Sequence, residues 1–193
     1  MIFAIDTSSA MSGIALIDES GAVYREELHE SGRSFDLPGR YRALGAAEPI
    51  SRVGVATGPG SFTGLRVGVS FGLGLAIGLG VPIVPLPTLN LQAARSDQDV
   101  VAVAEAGRGR VYFMRPGGQP GLAEPHELTT DLPFVGWLRE ATRQSMVAAG
   151  LQFVPDAELR SFGEAAARIL ATAGEVAYGS LKLEYRQSFT SRV

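Results

Sequence analysis

Apolar residues fill Ile2-Phe3-Ala4-Ile5 up to Asp6 and return in Ile14-Ala15-Leu16-Ile17, with the small polar turn Thr7-Ser8-Ser9-Ala10 between them. Short apolar runs bounded by turn residues predict strands over 2–6 and 12–18. Ser20-Gly21 introduces a third over 22–27, which makes the opening an antiparallel meander. A weaker helical pattern over 33–47 has Phe35, Leu37, Tyr41 and Leu44 as its apolar members, and Pro38-Gly39 interrupts it. A fourth strand over 52–56 runs into Gly58-Pro59-Gly60 and then a helix, capped by Ser61 or Thr63 and ending near Gly80, before Pro82. A fifth strand over 82–85 and a helix capped by Thr88 and reaching about Arg95 complete the order βββαβαβα.

The helix over 61–80 organises the chain. At ~100° per residue, Gly64, Gly68, Gly72, Gly74 and Gly78 fall within an arc of about 160°, with Phe71 and Leu75 near its centre. Val69, Leu73, Ala76 and Ile77 lie opposite, so apart from Arg66 the helix is apolar all round and needs cover on two sides. Interior glycines cost roughly 0.5–1 kcal/mol each relative to alanine, which a close contact must offset. The pattern therefore predicts that one side packs on the chain's own sheet while the glycine side admits another backbone, as small-residue seams do. An ordinary core helix is the plainer alternative. A phosphate cradle is a further one, because a glycine-rich turn opening a helix presents N–H groups to anions; the G-x-x-x-x-G-K-[ST] pattern is missing, however, and no lysine is near. No charge occurs from Val67 to Leu89, but Pro82, Pro85 and Pro87 leave a helix shorter than the ~20 residues a bilayer needs, so no membrane span is expected.

Ser96-Asp97-Gln98-Asp99 is a polar break that divides the chain into halves 1–97 and 98–193. The second half repeats the start of the first: a strand over 100–105 ending in Glu105, a small turn Ala106-Gly107-Arg108-Gly109, and a strand over 110–115. A helix over 131–143, a strand over 145–153 kinked at Gly150 and an amphipathic helix over 155–173 follow, the last with Phe162, Ala166, Ile169 and Leu170 as core members. Duplication of one α/β unit accounts for this organisation.

With 193 residues, 46% of them hydrophobic, the chain has ample material for a core. Cysteine is absent, which excludes disulfides and thiolate metal sites. The net charge of −3 argues against autonomous nucleic-acid binding. Lys182 is the sole lysine, so P-loop and Schiff-base chemistry have almost nothing to use. The opening residues lack a basic n-region and place Asp6 in the first apolar run; no signal peptide and a cytoplasmic location are expected.

The opening Ile5-Asp6-Thr7-Ser8, the block Gly58-Pro59-Gly60-Ser61-Phe62-Thr63-Gly64-Leu65-Arg66 and the two-half organisation closely resemble the TsaB family, also called YeaZ. The likeness covers most of the first hundred residues and thins to Val111-Tyr112 and Tyr185-Arg186 later. The resemblance implies a duplicated actin-like ATPase (ASKHA, RNase H-like) fold, with two mixed five-stranded sheets flanked by helices. It also implies a non-catalytic subunit that binds a TsaD-like catalytic subunit, works with a TsaE-like ATPase, pairs with itself in their absence, and meets tRNA only through the complex, where threonylcarbamoyl is transferred to adenosine 37. On this reading the docking seam comprises Gly60, Ser61, Phe62 and Thr63 at the helix start, then Gly64, Gly68, Phe71, Gly72, Leu75 and Gly78 along it. The segment 33–51 is shorter than in the family, Glu105-Ala106-Gly107 stands where many relatives have Asp-Ala-Arg, and Glu184 stands where a proline is usual.

An actin-like fold invites a second reading, a weak nucleotide-binding or hydrolysing protein. Asp6 would orient magnesium-bound water, Thr7, Ser8 and Ser9 would cradle phosphate, and Glu105 would be the matching acid of the second half. Both turns lack a glycine-rich phosphate grip, so no firmly bound cofactor is expected, with ATP and magnesium at the partner or at the subunit interface. A glycoprotease-like peptidase is a third reading: His29 and His126, the two histidines, are each followed by glutamate, but no second histidine stands at zinc spacing. A purely homodimeric structural protein is the remaining class.

Overall fold

A computed structural model describes residues 1–31, 36–46 and 48–184. Strands β1 (Ile2–Asp6), β2 (Met11–Ile17) and β3 (Val23–Glu30) form the expected meander, and β4 (Arg52–Gly58) and β5 (Ile83–Pro87) join it in the order β3-β2-β1-β4-β5. The β1–β4 and β4–β5 pairs are parallel and the rest antiparallel, so the sheet is mixed. Every residue of β1 is buried, because successive side chains point to opposite, covered faces. Phe3 and Ile5 lie under α1 (Leu37–Leu44) and α2 (Phe62–Leu79); Ile2 and Ala4 lie under a cluster that includes Leu91, Phe162, Ala166 and Leu170.

Pro38 and Gly39 do not interrupt α1. They form its first turn, where proline's missing N–H costs nothing, and Asp36 caps the turn by accepting the Gly39 N–H at 3.0 Å. Part of the expected 33–47 helix, and the Tyr185-Arg186 match, lie outside the described residues. Helix α2 has the predicted ends: the Ser61 hydroxyl accepts from the Gly64 N–H, and Gly80 closes the helix with a φ of 67°. By length and composition α2 could cross a membrane, but its face of Leu65, Gly68, Val69, Gly72 and Ala76 is packed on this chain's own sheet. Thr88 is the first residue of α3 (Thr88–Ala93) rather than its cap, and its hydroxyl serves the first turn of the chain.

The second half is built from β6 (Val101–Gly107), β7 (Arg110–Met114), β8 (Gly121–Ala123) and β9 (Phe134–Val135), in the order β8-β7-β6-β9. This repeats the β3-β2-β1-β4 part of the first sheet, with β6 and β9 parallel as β1 and β4 are. Among the described residues the second sheet has four strands where the resemblance implied five. The fifth place is reduced to one parallel bridge, from Phe153 to Phe134.

The second half departs from the expected elements at three places. Pro133 disfavours helix at the residue before it, so 131–143 is not helical throughout; it contains β9 and then the start of α4 (Glu140–Ala148). The expected strand over 145–153 begins as the end of that helix, with Met146 fully buried, turns at Gly150 with a φ of 83°, and keeps strand character only in the Phe153 bridge. The last helix is shorter than expected: α5 (Phe162–Leu170) begins at a capping box in which Ser161 and Glu164 each accept the other's backbone N–H.

Helices α3 and α5 join the halves. Leu89 of α3 packs with Ala102, Ala104 and Tyr112 of the second sheet, while Phe162, Ala166 and Leu170 of α5 return to the first. Arg95 fixes the junction, stacking 4.9 Å from the Trp137 ring centroid and donating to Gln92 Oε1 and to the Arg160 carbonyl. Asp97, at the expected boundary, is held by Arg160 and by Arg168.

Candidate functional site

Two features meet at the start of α2: a polar cleft between the halves and an exposed helical face. The turn Thr7-Ser8-Ser9 lies against α2. The Ser61 N–H donates to the Ser8 carbonyl at 2.7 Å, and the Thr7 hydroxyl donates to the Gly64 carbonyl at 2.6 Å. A Cβ on Gly60 would collide with Ser8, and one on Gly64 or Gly68 with Thr7. One on Gly72 would collide with Val55 of β4.

These contacts rotate the predicted seam. Gly64, Gly68 and Gly72 serve the chain's own sheet, and Phe71 and Leu75 are half-buried on the same core. Phe71 completes a T-shaped ring cluster with Phe3 and Tyr41, at centroid distances of 5.0 to 6.2 Å. Of the expected seam, Ser61, Phe62, Thr63 and Gly78 are exposed, and Gly60 is half-buried at the turn. Ile77, expected on the sheet side, is instead 54% exposed.

The outward face is therefore Phe62, Val67, Gly74, Ile77 and Gly78, with Phe62 52% and Val67 46% exposed. Among the described residues nothing lies within 4 Å of a Cβ built on Gly74 or Gly78, so these two glycines flatten the surface. Arg66 stacks on Phe62, its guanidinium carbon 3.8 Å from the ring centroid. At the other end the Tyr178 hydroxyl donates to the Val81 carbonyl at 2.8 Å and holds the exit from α2. Val67, Arg66 and Ile77 are not in the seam expected from the sequence; their shared phase with Gly74 and Gly78 was the available signal, obscured by counting all the glycines as one seam.

The cleft, of about 500 Å³, is lined on one side by Thr7, Ser9, Ser61, Thr63 and Val67 and on the other by Glu105 and Arg139. Glu105 Oε1 accepts the Arg139 N–H at 2.7 Å. Of the five nucleotide candidates the cleft brings together Thr7, Ser9 and Glu105, while Asp6 and Ser8 are fully buried. Asp6 Oδ1 accepts the N–H and hydroxyl of Ser8, at 2.7 and 2.6 Å, and the Ser8 hydroxyl oxygen lies 2.9 Å from that of Thr88. Burial pushes the Asp6 carboxyl up to about 6 against the pull of the Ser8 hydrogen bonds. Asp6 is sealed beneath the turn and does not line the cleft, so its carboxylate does not face the space in which a metal-bound phosphate would sit; among the described residues its Oδ2 and the Ser9 hydroxyl have no hydrogen-bond partner. His29 lies on β3 and His126 in an exposed turn beside Glu124, and neither lines the cleft that holds Ser61.

The chain matches the family described as TsaD, tRNA N6-adenosine threonylcarbamoyltransferase, over residues 43–122. It is 32% identical over 146 residues to the tRNA threonylcarbamoyladenosine biosynthesis protein TsaB of Bacillus subtilis (strain 168), a match taking in 71% of this chain and 64% of that protein. Its fold matches YeaZ from Pseudomonas aeruginosa with a TM-score of 0.70 at 19% identity, over 95% of this chain and 98% of that one. The chain belongs to the TsaB (YeaZ) family. A second structure, of an uncharacterized protein described as similar to the peptidase YeaZ from Pseudomonas aeruginosa, matches with a TM-score of 0.68 at 20% identity, over 96% of this chain and 99% of that one. These likenesses extend the duplicated fold of the TsaB family to nearly the whole chain, whereas the chain matches 64% of the length of the curated relative.

Proposed function

We propose that this chain is a non-catalytic accessory subunit that docks on a TsaD-like subunit and thereby supports threonylcarbamoyl transfer to adenosine 37 of tRNA. The observation that carries the reading is the outward face of α2, where Phe62, Val67 and Ile77 stand exposed around the bare backbone of Gly74 and Gly78. Flat apolar surface of this kind marks a protein interaction site. The names borne by the relatives support the choice of partner. In this scheme the chain works in the cytoplasm, off the membrane, with a TsaE-like ATPase, and touches tRNA only within the assembly. ATP and magnesium, in this scheme, sit at the partner or at the subunit interface, a placement that the burial of Asp6 away from the cleft supports. Without the partner, the same face pairs two copies.

Titration calorimetry of Ile77→Glu against the cognate TsaD-like subunit tests the reading. The variant is expected to bind at least about thirtyfold more weakly than the wild type, the effect of losing a central apolar contact. Binding equal to the wild type would remove the docking role.

A further inference from the structure

We infer that the partner presents a carboxylate opposite Arg66, and that this requirement makes the face prefer a different chain over a second copy of itself. The inference rests on the docking reading above and specifies what lies on the other side. Arg66 is the single charged residue of α2, and neither α2 nor α1, which flanks it through the Tyr41–Phe71 contact, contains an acid. Among the described residues no carboxylate lies within ion-pair distance of Arg66. Glu105, an acid on the same side of the molecule, lines the cleft and accepts the Arg139 N–H.

The guanidinium sits over the Phe62 ring, and among the described residues no hydrogen bond engages its N–H donors, which leaves the planar fork available to a carboxylate. A partner covering Phe62, Val67 and Ile77 also takes Arg66 out of water, and a desolvated cation is tolerated only when paired. A two-fold interface brings the same surface to both sides. In two copies meeting through α1 and α2, the charges those helices bring are Arg66, Arg40 and Arg42, and the nearest acid, Asp36 at the cap of α1, already accepts the Gly39 N–H. A different chain is under no such restriction, so charge complementarity favours the mixed pair.

The test compares Arg66→Glu, Arg66→Met and Ile77→Glu for affinity to the TsaD-like subunit by calorimetry at low and high salt, and for self-association by sedimentation. Arg66→Glu is expected to bind the subunit about thirtyfold or more weakly and Arg66→Met about tenfold more weakly, with wild-type binding weakening as salt rises. Self-association of Arg66→Glu is expected to equal or exceed that of the wild type. Arg66 is exposed, so melting temperatures should match. Wild-type affinity in both Arg66 variants, with loss of binding in Ile77→Glu, would overturn the carboxylate and leave docking standing. Wild-type affinity in Ile77→Glu as well would overturn both. Equal loss of self-association and of partner binding in Arg66→Glu would also overturn the preference.

Discussion

The Thr7 hydroxyl donates to the Gly64 carbonyl at 2.6 Å, and a Cβ on Gly68 would run into that same hydroxyl oxygen. The first turn of the chain and its central helix are thus fitted to each other through missing side chains. Gly68→Leu, and Gly72→Leu beside Val55, are expected to destabilise the fold by about 1–3 kcal/mol or more, since overpacking forces backbone shifts. Denaturant midpoints would show this, and a variant with an unchanged midpoint would place the glycine outside the packed face.

The outward face should behave in the opposite way. Ile77→Ser and Val67→Ser are expected to change stability by no more than about 0.5 kcal/mol, because both side chains are already about half in water. Their effect should appear in association measured across a concentration series. A large drop in melting temperature at low concentration would mean that these residues are structural.

Asp6 gives the molecule a pH dependence with a definite sign. Its carboxyl is raised from 3.8 to about 6 by burial, so between those values the folded state holds more protons than the unfolded one. The associated stability is fully present below pH 4 and is lost as pH rises through 6. About two pKa units correspond to roughly 3 kcal/mol. Asp6→Asn, which keeps an acceptor for Ser8, should remove this component and raise stability at pH 7. Matching slopes of stability against pH in variant and wild type over pH 4–7 would contradict the assignment.

Phe162 lies 1% exposed in the cluster beneath the first sheet, its ring centroid 5.9 Å from that of Trp137. Phe162→Ala is expected to cost about 3–5 kcal/mol. Because α5 belongs to the second half and packs on the first, both sheets should melt in one lowered transition, as near-ultraviolet circular dichroism and calorimetry would show. Two separate transitions would indicate independent halves.

The first sheet was readable because its strands are apolar runs closed by turn residues, and α2 because Ser61 and Gly80 mark its ends. The glycine phase misled for a physical reason: a glycine shows where a side chain is missing but not which neighbour needs the room. Gly68 and Gly72 yield to Thr7 and Val55, Gly74 and Gly78 to open space. In the second half, β9 is two residues long and has no period to detect, and Met146-Val147-Ala148 is as compatible with a strand as with the helix it forms. The Arg66–Phe62 stack is a matter of side-chain placement on consecutive turns, for which the order of residues gives only the opportunity.

Helix α5 is made long after the strands it covers. As the chain leaves the ribosome, Ile2, Ala4, Ala15 and Ile17 must wait for Phe162, Ala166 and Leu170 before their side of the sheet is sealed. Synthesis stalled near residue 97 would therefore release a sticky, chaperone-dependent fragment, and a gene cut at that boundary would give inclusion bodies in place of a working half.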